Sequence, residues 1–193
     1  MNETKCIMIV GVGGQGTLLA SRILGNLLTG AGFDVKVSEI HGMSQRGGSV
    51  VTFVKYGDKV YSPVIDKGEA DLILCFERLE AARWLPWLRK GGRMIVNDQR
   101  IDPMPVITGA MSYPEDILSR LRAFGADVTA VDALSLACEA GSAKAANVVL
   151  LGVLSADNAL PEEAWQAALA EEVKPKFLEL NRRAFALGRQ AAV

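Results

Sequence analysis

Two glycine-rich turns fall within the first fifty residues, Gly11-Val12-Gly13-Gly14-Gln15-Gly16 and His41-Gly42-Met43-Ser44-Gln45-Arg46-Gly47-Gly48. The first follows the apolar run Cys6-Ile7-Met8-Ile9-Val10, which reads as a strand buried on both faces. Leu19, Ile23, Leu27 and Leu24, Leu28 then recur at helical spacing until Gly30 and Gly32. The run Val35-Lys36-Val37-Ser38-Glu39-Ile40 alternates as a second strand. Strand, glycine turn, helix and strand make a βαβ unit with an expected right-handed crossover. The fold class that follows is α/β, a Rossmann-like, open and mostly parallel sheet.

The rest of the chain extends this reading. Residues 49–56 and 59–62 flank Gly57-Asp58, a two-residue hairpin signal, so an antiparallel hairpin is expected. Residues 71–76 and 93–97 read as core strands around a helix over 77–90. Residues 104–108 and 127–131 read as shorter strands, separated by a helix opening at Pro114-Glu115-Asp116. From Ala133 onward the pattern is helical, with candidates over 134–140, 144–156, 161–171 and 174–188. A chain of 193 residues, half of them hydrophobic, is expected to form one domain over 1–193.

Charge and cysteine usage remove several function classes. The net charge is -1, without a dense Lys/Arg cluster, so neither nucleic acid nor an anionic membrane is expected as partner. Cys6, Cys75 and Cys138 are widely separated and form no Cys-x-x-Cys pair. They are read as buried core thiols in a reducing compartment, the cytoplasm, and no targeting or membrane-spanning segment is recognised. Three cysteines cannot by themselves hold a four-cysteine cluster or zinc site.

The first turn fits G-x-G-x-x-G at Gly11, Gly13 and Gly16, with Gly14 and Gln15 between them. Such a turn lets a phosphate approach the backbone at the positive end of a helix. Glu39, 23 residues after Gly16, stands about where a nicotinamide site places its ribose-binding carboxylate. The second turn has no evident use in such a site. Its loop leaves the C-terminal end of a strand, on the rim where open α/β sheets bind ligands. Arg46 beside Gly47-Gly48 suits a phosphate or carboxylate, and a solvated turn with a surface arginine is the bland alternative. His41, the only histidine, is the obvious acid–base candidate, although a positioning or contact role is favoured. Asn147 caps a helix, touches a ligand or satisfies backbone groups. Glu77 and Glu80 read as solvated acids at a helix start, and Trp84 and Trp87 as core or as a subunit contact.

Taken together, Gly-x-Gly-Gly-Gln-Gly and Ser38-x-x-His41-Gly42-x-x-Gln45-Arg46-Gly47-Gly48 resemble the gamma-type domain of the 2-oxoacid:ferredoxin oxidoreductases, and within that family the small subunit of the indolepyruvate type. The runs Ala70–Ala81, 92–97 and 147–152 continue the resemblance over nearly the whole chain. It implies oxidative decarboxylation of a 2-oxoacid to acyl-coenzyme A and CO2 with ferredoxin as electron acceptor. It places thiamine diphosphate and [4Fe-4S] clusters on a large alpha subunit and leaves coenzyme A as a possible ligand here. The candidate cofactor-binding set is Gly11, Gly13, Gly14, Gln15, Gly16, Ser38, His41, Gly42, Gln45, Arg46, Gly47 and Gly48. No catalytic residue or metal ligand is assigned. A stand-alone NAD(P)-binding oxidoreductase and a nucleotide-binding regulator remain the alternatives.

Overall fold

The computed structural model describes residues 4–42 and 47–192. One six-stranded sheet forms its middle layer: β1 (Lys5–Val12), β2 (Asp34–His41), β3 (Ser49–Gly57), β4 (Ala70–Cys75), β5 (Leu88–Asn97) and β6 (Asp127–Val131). The strand order is β2-β3-β1-β4-β5-β6. Strands β1, β4, β5 and β6 are parallel, and β3 is antiparallel to both β1 and β2. The continuous apolar character of β1 follows from helices on both sides of it. Ile7 and Ile9 pack into one layer, while Cys6, Met8 and Val10 pack into the other.

Helices α1 (Thr17–Gly30), α5 (Ala133–Ala140), α6 (Ala146–Ala156), α7 (Glu162–Glu172) and α8 (Pro175–Gln190) supply the first layer. Helices α2 (Arg78–Trp84) and α4 (Ile117–Ala123), with Ile65 and Tyr113, supply the second. A short α3 (Met104–Ile107) stands beyond the end of β5. Helix α6 is apolar on every side because every residue from Asn147 to Ser155 is buried, between the sheet and α8. Among the described residues no helix is long and apolar enough to cross a membrane.

Several sequence expectations are corrected. The βαβ unit forms, yet β1 and β2 are not neighbours, because β3 inserts between them. No hairpin forms at Gly57-Asp58: residues 59–62 are not a strand, and the Val60 N–H instead donates to the Asp34 carboxylate at 2.9 Å. Gly57 answers a close approach, since a Cβ there would lie 3.1 Å from Thr4 Cα. The antiparallel component is present, but its partners are β1 and β2. Residues 104–107 are helical because Pro105 lacks a ladder donor and fits a first helical turn. Helix α2 ends at Trp84, ahead of a single 3-10 turn, Leu85–Trp87, that contains Pro86. The helix after Pro114 opens later than expected, at Ile117, behind a left-handed Asp116.

Cys6 and Cys75 are buried, whereas Cys138 is exposed, because it lies off the α5 face that buries Ala133, Ala137 and Ala140. Burial pushes the Cys75 thiol well above its usual pKa, and Glu80 and Glu77 add to the effect. Trp84 and Trp87 lie 4.7 Å apart between ring centroids, with their planes tilted by 59°, and pack on the second core layer.

Candidate functional site

The first glycine turn joins β1 to α1 on the rim where the parallel strands end. Each glycine meets a different demand. A Cβ on Gly11 would lie 2.9 Å from Phe76 Cβ, and one on Gly16, whose φ is +83°, would lie 2.6 Å from Asn147 Nδ2. Gly14 has φ +101° and nothing within 4 Å of a built Cβ. Helix α1 begins without a side-chain cap and without an acid in its first turn. Among the described residues, the N–H groups of Gly14, Gly16, Thr17 and Leu18 have no recorded acceptor. Amides without a protein acceptor at the positive end of a fourteen-residue helix are suited to an anion.

Three other amides of the turn are already used, that of Gln15 by the Val12 carbonyl at 3.2 Å. The Gly13 N–H donates to the Gly48 carbonyl at 2.8 Å, which ties the two glycine turns directly to each other. The Val12 N–H donates to Gln15 Oε1 at 2.8 Å, and Gln15 Nε2 donates to the Phe76 carbonyl at 2.8 Å and to Gln99 Oε1 at 3.3 Å. Gln15 thus braces the turn against the ends of β4 and β5 from within. Asn97 Nδ2 reaches the same Phe76 carbonyl at 3.1 Å and the same Gln99 Oε1 at 3.0 Å, while its Oδ1 accepts from the Ala133 N–H at 3.1 Å. Three carboxamides therefore link the ends of β1, β4, β5 and β6. Asn147 donates to the Gly16 carbonyl at 3.1 Å and accepts from the Val148 N–H at 2.9 Å. Of the three roles open in the sequence, satisfying backbone groups is the one its contacts fill.

A groove lies on each side of the turn. The first, of about 420 Å³, is lined by Gly13, Gly14, Gly16, Thr17, Leu18, Glu39, His41 and Val50. The second, of about 430 Å³, has Gln15, Leu19, Phe76, Asn97, Gln99 and Leu134 among its walls, with Lys144 and Asn147 at the α6 end. Gly14 and Gly16 line both grooves. Gln99, Lys144 and Thr17 were not singled out in the sequence. No motif marks them, because each reaches the rim only through folding.

The second glycine segment is described in part. Gln45 and Arg46 lie outside the described residues. Gly47 has φ +78° and Gly48 holds Gly13. His41 is exposed, and its Nδ1 stands 3.1 Å from the Gly42 carbonyl, with no carboxylate against the ring among the described residues. A general base would need a partner that orients its ring, and among the described residues only the Gly42 carbonyl stands against it. Ser38 pairs with Phe53 of the opposite core layer, so it is separated by the sheet from Glu39 and His41. Glu39 is two strands from β1, roughly 10 Å, because β3 intervenes. A nicotinamide-type sheet places that carboxylate on the adjacent strand, at about half the distance.

Glu77 and Glu80 are not solvated, as the sequence reading had them; they are 1 % and 4 % exposed. Glu77 accepts from the N–H groups of Glu80 at 2.9 Å and Ile101 at 3.2 Å, and from the Tyr113 hydroxyl at 2.5 Å. Burial, then Glu77, push the Tyr113 hydroxyl well above its usual pKa. Glu80 accepts from Ser49 Oγ, from Arg83 at 3.1 Å and from Trp84 Nε1 at 3.3 Å. Both acids act as internal staples, and Glu80 holds the start of β3 beside the second turn. Glu80→Ala strands three donors, of which Arg83 remains half in water. It is expected to lower stability by about 2 kcal/mol in urea unfolding. An unchanged midpoint would remove Glu80 from this role.

Among the described residues no group of three or more His, Cys, Asp or Glu is placed to hold a metal. The three cysteines do not converge, so their arrangement does not fit an iron–sulfur cluster.

Comparison with known proteins places this geometry. Residues 6–191 match the family model for pyruvate ferredoxin/flavodoxin oxidoreductase. The indolepyruvate oxidoreductase subunit IorB of Thermococcus kodakarensis is 44% identical over 191 residues, 96% of this chain and 95% of that one. The gamma subunit of a keto/oxoacid ferredoxin oxidoreductase from Geobacter sulfurreducens superimposes with a TM-score of 0.72 at 25% identity, over 97% of this chain and 98% of that one. The 2-oxoglutarate:ferredoxin oxidoreductase of Magnetococcus marinus, with 2-oxoglutarate, coenzyme A and succinyl-CoA bound, has the same fold (TM-score 0.70, 18% identity). That match covers all of this chain and 31% of the longer one.

Proposed function

Because the chain belongs to the pyruvate ferredoxin/flavodoxin oxidoreductase family, we propose that it is the small subunit of an enzyme that oxidatively decarboxylates indolepyruvate to the acyl-coenzyme A and CO2, reducing ferredoxin. One observation carries the reading: 44% identity to an indolepyruvate oxidoreductase subunit along nearly the full length of both chains. Thiamine diphosphate supplies the decarboxylation chemistry and [4Fe-4S] clusters the electron path, and both belong to a large partner subunit. The chain's own cysteines fit no cluster, so no redox step is routed through it.

The part proposed for this chain is to hold coenzyme A on the rim. The open amides of Gly14, Gly16, Thr17 and Leu18 suit the diphosphate, and the bare face of Gly14 leaves it room. The longer 2-oxoglutarate:ferredoxin oxidoreductase chain that contains this fold carries coenzyme A, so the ligand occurs with the fold. Gly13 and Gln15 contribute indirectly, by holding the turn against Gly48 and the strand ends.

The test is an anaerobic assay with indolepyruvate, coenzyme A and an electron acceptor. The chain alone is expected to turn over no substrate, and the complex with its large subunit to turn over in a manner that saturates with coenzyme A. Substantial activity of the chain alone would overturn the proposal. Micromolar binding of NADH or NADPH would restore the stand-alone dehydrogenase in its place.

A further inference from the structure

The second groove contains a donor whose direction is set by its neighbours. The Val12 N–H fixes Gln15 with its oxygen toward β1, so Gln15 Nε2 must face Phe76 and Gln99. The Ala133 N–H likewise fixes Asn97 with its oxygen toward α5, so Asn97 Nδ2 must face the same place. Both nitrogens converge on one atom, Gln99 Oε1. Two backbone N–H groups therefore settle the orientation of all three carboxamides. The remaining end of Gln99, its Nε2, has no acceptor among the described residues, and Gln99 is one of the residues lining the groove, with Leu19, Leu134 and Lys144. Lys144 is exposed, with no carboxylate paired to it among the described residues. The first groove carries the Glu39 carboxylate, and its described lining residues include no lysine or arginine.

Resting on the function proposed above, we infer that Gln99 is a ligand-contacting residue, donating from Nε2 to the nucleotide half of coenzyme A. That half is placed in the second groove. Its base lies against Leu19 and Leu134, and its 3′-phosphate lies on the Lys144 side, away from Glu39. Gln15 and Asn97 are positioning residues that present the donor. Gln15, part of the first glycine motif, thereby acts on the ligand through Gln99 rather than by contact.

Two substitutions separate donor from scaffold. Gln99→Glu keeps the oxygen that Gln15 and Asn97 bond to and removes the donor. Gln99→Leu removes both, and the two partners still have the Phe76 carbonyl. Complexes reassembled with the large subunit are assayed at saturating indolepyruvate with coenzyme A varied. Both variants are expected to raise the KM for coenzyme A about fivefold to tenfold, a lost ligand hydrogen bond, with kcat within about twofold. Inhibition by adenosine 3′,5′-bisphosphate should weaken by the same factor, and inhibition by pantetheine should not change. Gln99→Glu should melt with the wild-type complex. A wild-type KM in Gln99→Glu overturns the inference, as does a fall in kcat at constant KM, or weakening of pantetheine in place of the bisphosphate. If wild-type turnover is itself independent of coenzyme A, the function proposed above fails and this inference with it. Saturation that ignores Gln99 removes the inference alone.

Discussion

Replacing Gly188 with alanine is expected to remove a large part of the protein's stability. A Cβ at Gly188 would lie 2.0 Å from the Val149 carbonyl oxygen, and one at Gly152 would lie 2.1 Å from that of Phe185. Overpacked cores usually lose about 1–3 kcal/mol because side chains can repack. Here the obstacle is backbone, so no rotamer change relieves it, and α6 and α8 must separate. Separation opens the layer that buries Val149, Trp165 and Phe185. A loss above about 4 kcal/mol is expected for either Gly152→Ala or Gly188→Ala, a large part of the stability of an ordinary domain. Urea unfolding followed by tryptophan fluorescence measures it. The two glycines meet each other's helices at one crossing, so the double variant should lose much less than the sum of the singles. Strict additivity, or a single variant within about 1 kcal/mol of wild type, would contradict the crossing described here.

The second large effect is on ligand use and should leave the fold nearly intact. Gly14 has open space around a built Cβ and lines both grooves, so a side chain there meets ligand before protein. Gly14→Ala incurs about 1–3 kcal/mol for a non-glycine residue at φ +101°. In the reassembled complex its kcat/KM for coenzyme A is expected to fall about a hundredfold or more, the scale of a misplaced ligand. Isothermal unfolding and coenzyme A titration on the same sample distinguish the two effects. A fall in stability without a change in coenzyme A dependence would reduce the turn to scaffolding.

The comparison of sequence with structure divides along the range of the interactions. The strand at 6–10, the helix after Gly16 and the helices from Ala133 onward were legible because each rests on local periodicity. The place of β3 was not, since its pairing with β1 is decided by partners 37 to 51 residues away. Gly57-Asp58 misled for the same reason: its turn chemistry is genuine, but Asp34 captures the chain that follows it. At the site, Gly11, Gly13 and Gly16 were legible through their spacing. Gln99 was not, because its significance depends on Gln15 and Asn97 converging from different strands. Glu77 and Glu80 looked like surface acids because the groups that satisfy them, Ile101, Tyr113 and Ser49, lie 24 to 36 residues away in one case and 31 in the other. Gly152 and Gly188 interrupt good helical patterns, which is the usual sequence trace of a close helix crossing.

The row of carboxamides from Gln15 through Gln99 to Asn97 has a consequence for how the rim responds to its surroundings. Every link in it is an amide, donor and acceptor at once, and none gains or loses a proton at any pH the protein can survive. A floor built of histidines or acids would change its hydrogen-bond directions as protons came and went. This one keeps the same polarity whatever charge the ligand or the neighbouring subunit brings. Protons consumed or released during turnover must then be handled by groups outside the row, and the shape offered to the ligand stays constant while they are.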